Sequence, residues 1–131
     1  MITILVDHNL EGQATWLLGT LASQGWLDLV PLHMITLREA GLALDSSDRW
    51  IWRFVQERGM LLLTHNRTQK GRDSLEQTLR EEVTAASLPV LTLSNRDRMM
   101  EREYREQCAE RLIEIVVDLD HYRGVSRIFL P

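Results

Sequence analysis

Two short stretches place chemistry-bearing side chains at the ends of apolar runs. In ITILVDHN (Ile2 to Asn9) a strand-like run gives way to Asp7, His8 and Asn9, and in LLLTHNR (Leu61 to Arg67) three leucines give way to Thr64, His65, Asn66 and Arg67. An acid directly after a buried strand must either bind something or be held by donors, because a buried charge without partners is costly. Further acids stand where helices are expected to begin: Asp45 and Asp48 in the segment Asp45-Ser-Ser-Asp48, and Asp73 with Glu76. Carboxylates gathered on one rim suit a hard divalent cation, which takes oxygen ligands from one or two carboxylates and completes its shell with water and phosphate. Such an ion activates a water and stabilises the leaving oxygen in phosphodiester hydrolysis. Each acid also has a plainer role. Asp7 reads equally as a cap of the following helix, the helix dipole favours Asp45 and Asp48 at a helix start, and Asp73 and Glu76 are spaced as a capping box.

The elements that must position these residues follow from the apolar pattern. Ile2 to Val6 reads as a buried strand. Asn9 then suits a helix N-cap, with Leu10, Ala14, Leu17, Leu18 and Leu21 at helical spacing before Gly25. Leu29 to Thr36 is expected as a second strand, with Pro31 restricting it to an edge or to its first residues. The Asp45 to Asp48 turn opens a helix whose apolar face is Trp50 or Ile51, Phe54 and Val55, ended by Gly59. Met60 to Thr64 is the next strand, and a helix from about Asp73 to Val83 follows the polar loop Asn66 to Arg72. Pro89 to Leu93 is a short strand, Asp97 to Leu119 the longest helix, with Tyr104, Cys108, Leu112, Ile115 and Leu119 on one stripe, and Val125 to Leu130 a closing strand. Alternating strands and helices, with strands apolar throughout, predict an α/β fold with a parallel sheet covered on both faces. In such sheets ligands bind outside the carboxyl ends of the strands. That rule puts Asp7 and Thr64 to Asn66 on the same rim.

Length and composition set the bounds. With 131 residues, 44% hydrophobic and 26% charged, the chain has the size and balance of one globular domain, residues 1–131. The lone Cys108 has no partner for an internal disulfide. The first residues read as a strand rather than a leader, and no apolar run approaches the roughly 20 residues of a membrane-spanning helix. A cytoplasmic protein with no membrane contact is expected. The net charge of −4 argues against a general electrostatic grip on nucleic acid. It is compatible with a nuclease whose carboxylates meet phosphate through a metal ion.

The opening ILVDHNL, the Asp48-led helix and the LLLTHNR strand end, in this order and at these spacings, resemble the PIN-like nuclease domains. The likeness is strongest to small bacterial PIN-like proteins beginning with an Asp-x-Asn-Leu motif, and it covers essentially the whole chain. It rests on the combination, each motif being short. The resemblance implies a three-layer α/β/α sandwich with a mainly parallel central sheet, and three or four acids binding Mg²⁺ or Mn²⁺ for RNA cleavage. Carried onto this sequence, it makes Asp7, Asp48 and Asp73 the expected catalytic acids and Asp7, Asp48 and Asn66 the expected metal ligands, with Asn9, Asp45, Thr64 and His65 beside them. One feature departs from the family pattern: no carboxylate occupies either position after Thr64. Asn66 offers a carbonyl oxygen there, His65 a nitrogen that suits Mn²⁺ better than Mg²⁺, and Asp73 compensates from the following loop.

Arg67, Lys70 and Arg72 form a small basic patch beside this rim, suited to phosphate contacts or equally to solvation. The expected function is a metal-dependent ribonuclease, weak or conditional in activity, acting on RNA and filling the toxin role of a toxin-antitoxin pair. An antitoxin or other protein partner, or a homodimer, belongs to that expectation. The alternative is a non-catalytic PIN-like scaffold that dimerises or binds a partner protein, a reading kept open by the altered Thr64-His65-Asn66 strand end. A phosphoacceptor domain also wants an acid after its first strand, but no convincing lysine follows a late strand here.

Overall fold

The computed structural model describes residues 1–65 and 71–131. Among them, five strands form one all-parallel sheet in the order β2-β1-β3-β4-β5. These are β1 (Ile2–Val6), β2 (Leu32–Thr36), β3 (Leu61–Thr64), β4 (Val90–Leu93) and β5 (Arg127–Leu130). The helices are α1 (Glu11–Ser23), the single turn α2 (Trp26–Leu29), α3 (Asp48–Arg58), α4 (Leu75–Glu82) and α5 (Arg102–Val117). Tight 3-10 turns at His8–Leu10, Arg96–Met100 and Leu119–Tyr122 complete the described elements.

The central strands are apolar on consecutive residues because each strand feeds two cores. Ile4, Val6, Leu61, Leu63, Leu91 and Leu93 join one buried cluster with Leu17 of α1 and Leu112 of α5. Their alternates Leu5, Leu62 and Val90 join a second cluster with Ile51 and Val55 of α3 and Leu79 of α4. Successive strand side chains point to opposite faces, so α1 and α5 cover one face and α3 and α4 the other. Continuing that alternation, Asp7 and Thr64 fall on the α3/α4 face.

Several local expectations shift for identifiable reasons. The second strand starts at Leu32 rather than Leu29, because Trp26–Leu29 closes a helical turn whose last backbone N–H, from Val30, reaches Trp26 O at 2.8 Å. Pro31 then stands immediately before the strand, where its missing N–H costs no ladder bond. Asn9 does not cap α1. It lies in the His8–Leu10 turn, and α1 begins at Glu11 without a side-chain cap. The buried stripe of α3 is Ile51, Trp52 and Val55, leaving Trp50 60% exposed while Trp52 is only 5% exposed. α3 ends as expected at Gly59, whose φ of 64° is the left-handed conformation that glycine adopts without a Cβ penalty. α4 is capped by Ser74, which accepts from Gln77 N at 3.2 Å, and not by an Asp73–Glu76 box. The expected long helix is interrupted: its first turn is 3-10, α5 proper runs from Arg102, and it stops at Val117. No described helix is long and apolar enough to cross a membrane.

Candidate functional site

The carboxyl ends of β1, β3 and β4 lie side by side, since β3 is the neighbour of both others. The β1–β3 ladder continues one step past the strand, with Asp7 N donating to Leu63 O at 2.9 Å. That fixes the Asp7 backbone, and its carbonyl accepts from Leu10 N at 2.9 Å to start the 3-10 turn. The carboxylate itself caps nothing. Instead Thr64, buried at the end of β3, donates its hydroxyl to Asp7 Oδ2 at 2.9 Å. Asp7 Oδ1 takes no hydrogen bond among the described residues, and the residue is half-buried. A carboxylate with one oxygen anchored and the other open can accept from a proton donor or meet a cation.

The next residue extends the rim toward β4. His65 Nε2 meets Arg96 Nη1 at 3.2 Å. A guanidinium can only donate, so Nε2 is the acceptor. This arrangement uses the His65 Nε2 lone pair on a guanidinium rather than offering it to a metal. Asp7, Thr64, His65 and Arg96 thus form a continuous polar line across three strand ends.

The other expected acids take contacts of their own. Asp48, first residue of α3, accepts from Leu75 N at the start of α4 at 3.1 Å through Oδ2. Because α3 and α4 each precede a parallel strand, both start at the carboxyl end of the sheet. Asp48 therefore sits at the same end as Asp7, tying two helix starts together. Asp73 belongs to an ion cluster centred on Arg49, which is 14% exposed. Arg49 Nε donates to Asp73 Oδ1 at 3.1 Å, and Nη2 donates to Glu81 Oε1 at 2.7 Å and to the Arg72 carbonyl at 2.8 Å. Nη1 reaches Glu82, which Arg53 also engages at 2.8 Å. Arg72 thus joins this cluster through its backbone. The Arg49 donors and those of Arg53 hold the Glu81 and Glu82 carboxyls below the usual carboxylate range.

Asp45 is exposed in the loop before α3 with no side-chain hydrogen bond among the described residues, and Asn9 is exposed likewise. His8 Nδ1 pairs with Glu11 Oε2 at 3.0 Å within the turn that leads into α1. Asn66, Arg67 and Lys70 lie outside the described residues. Cys108 is fully buried on the α5 stripe, where burial pushes its thiol up to about 11. It is inert packing.

Two residues escaped the sequence reading. Arg49 gives no pattern signal, because a guanidinium one residue inside a helix reads as a solvated surface charge until α4 is laid against it. Arg96 was within reach: the same strand-end rule that singled out Asp7 and Thr64, applied to β4, points at Ser94-Asn95-Arg96.

Among the described residues no group of three or more His, Cys, Asp or Glu side chains is placed to share an ion. The donor set fits a looser arrangement, in which an ion is held by one or two carboxylates and completed by water and substrate phosphate. Asp7 has the open oxygen for it. No family model matches the chain, and neither a curated protein nor a solved structure does.

Proposed function

We propose that this chain is a metal-dependent ribonuclease of PIN-like type, a three-layer α/β/α sandwich whose working edge is the carboxyl-end rim of its parallel sheet. The observation that carries this reading is the Asp7–Thr64 pair: a carboxylate at the end of a central strand, fixed at 2.9 Å by a buried hydroxyl and open on its other oxygen. Asp7 would hold Mg²⁺ or Mn²⁺, with Asp48 at the same end of the sheet and Asn66 from outside the described residues as further donors. The ion would supply an activated water and charge stabilisation at the phosphate. Thr64 keeps the carboxylate oriented, and the strand-end amide of Asp7, committed to Leu63 O, keeps the backbone from following the ion. Ion binding of this kind is weak until substrate adds its own oxygens, which matches a conditional enzyme such as a toxin whose antitoxin or other protein partner restrains it. Cleavage of a mixed RNA pool by the wild type in Mn²⁺, lost in Asp7→Asn, is the expected result; equal cleavage by both proteins removes the reading.

A second reading has its own support. Asp48 and Asp73 are each engaged in contacts that join α3 to α4, which is what a non-catalytic scaffold would use them for. On the same side, Trp50, Phe54 and Leu42 line an open groove of about 760 Å³. A scaffold would present that groove to a partner protein or to a second copy, and would bind no RNA.

A further inference from the structure

We infer that Arg96 is the phosphate anchor of the rim: His65 sets its guanidinium to take the backbone oxygens of a single-stranded RNA lying across the ends of β3 and β4. This rests on the reading of the rim as an RNA site and adds the residue that would hold the polymer there.

Along the segment after β4, Arg96 differs from its basic neighbours in its partner. Arg98 is paired with Glu101 at 3.2 Å and stacked over Tyr104, with its guanidinium carbon 4.6 Å from the ring centroid. Arg102 is paired with Glu106 at 2.9 Å. Arg96 is exposed, and its side-chain partner is the His65 ring nitrogen at 3.2 Å, so its positive charge is not cancelled by a carboxylate among the described residues. An arginine has five N–H donors. One is spent on His65, which leaves the fork free for a bidentate contact to phosphate, the geometry guanidinium groups make best.

The anchor is also held in place. Asn95 Oδ1 accepts from Asp97 N at 3.1 Å and Arg98 N at 3.2 Å, closing the turn on both sides of Arg96. Asn95 N donates to the buried Tyr104 hydroxyl at 3.1 Å, which itself donates to the Pro131 carbonyl. The backbone under Arg96 is thereby fixed to α5 and to the residue after β5. A side chain carried on a fixed turn and steered by one hydrogen bond loses little further entropy on binding. Thr64 joins the two ends of the line, since it bonds Asp7 and precedes His65 in the chain. A phosphate on Arg96 would lie beside the strand whose end supports the Asp7 carboxylate. Asp97 is the opposing term, an exposed acid next to the anchor.

The test is metal-free binding, which separates the anchor from any cleavage chemistry. A short fluorescein-labelled mixed-sequence RNA is titrated with the full chain in EDTA, and anisotropy is followed over a range of salt. Arg96→Gln is expected to weaken binding about fivefold and to flatten the salt slope by about 0.7, the increment for one phosphate contact on a single strand. Arg96→Lys keeps the slope and recovers part of the affinity. Arg98→Gln, whose charge Glu101 already cancels, leaves both within about twofold. His65→Leu weakens binding and His65→Gln restores it, since the Gln amide oxygen reaches as far as Nε2 and can accept from the guanidinium as Nε2 does, a rescue that a merely structural histidine would not show. Asp97→Asn tightens binding. Unchanged affinity and slope in Arg96→Gln overturn the inference, as does an absence of RNA binding by the wild type. Arg96-dependent binding without any cleavage in Mn²⁺ would leave the anchor standing and remove the ribonuclease.

Discussion

Two acidic junctions sit at the same end of this sheet and are treated in opposite ways. At the end of β1, Asp7 is held by one neutral hydroxyl and keeps an open oxygen. At the start of α3, Asp48 receives the backbone N–H of Leu75, and Arg49 is surrounded by Asp73 before α4 and by Glu81 and Glu82 at its end. Both junctions look alike in sequence, an acid before or at the head of a helix. The difference lies in the donor. A hydroxyl orients a carboxylate while leaving its charge available, whereas a guanidinium shared among three carboxylates neutralises and binds them into a structural joint. The first arrangement can recruit a cation; the second already holds one.

If that contrast is right, substitutions on the two sides must differ in kind. The largest stability effect is expected at Arg49→Ala, which leaves Asp73, Glu81 and Glu82 facing one another without their common donor and unpins the Arg72 carbonyl. A fall in Tm of several degrees is expected, measured by circular dichroism, and the RNA binding proposed for the β3–β4 rim should survive it. Next comes Asp48→Ala, which removes the acceptor for Leu75 N and should cost about 1 kcal/mol in a urea titration, the usual magnitude for losing a helix-terminal acceptor.

The same joint predicts a pH signature. Hydrogen bonds from Arg49 and Arg53 lower the Glu81 and Glu82 carboxyls below their ordinary value of 4.5 in the folded chain. A lowered folded value means stability present above pH 4.5 and lost as pH falls through the folded values. The gap in Tm between wild type and an Arg49→Ala, Arg53→Ala double variant should therefore be wide at pH 7 and close progressively below pH 4.5. A gap that persists unchanged into acid would assign the loss to packing of the arginine stems instead. The smallest stability effect belongs to Asp7→Asn, where the amide oxygen can still accept from Thr64. A change within about 0.5 kcal/mol is expected, and a loss as large as that of Arg49→Ala would make Asp7 a structural residue like Asp73.

Much of this architecture was legible from residue pattern alone, because the central parallel strands are buried on both faces and are mostly apolar. Ile2 to Val6 is a strand within its expected bounds, and Gly59 ended α3 where its left-handed φ required. Where neighbours decide, pattern failed. Trp50 and Trp52 are equally apolar, and only the packing of α3 against Leu5 and Leu62 selects Trp52 for the core. The Asp73–Glu76 spacing satisfies a capping box as written, yet Ser74 sits one residue closer and takes the cap, releasing Asp73 to Arg49. For the candidate site, the strand-end rule located Asp7 and Thr64 from sequence. It could not reveal that they bond each other, because their contact spans 57 positions of the chain and depends on the adjacency of β1 and β3.

The central claim is that Asp7 presents an open carboxylate oxygen to a divalent ion. Isothermal titration of Mn²⁺ into wild type and Asp7→Asn, at neutral pH and in the presence of a short RNA that supplies phosphate oxygens, tests it most directly. A binding isotherm in the wild type that disappears in Asp7→Asn, while the melting temperature stays the same, is the predicted result. Identical isotherms for the two proteins, or no heat of binding in either, would contradict it.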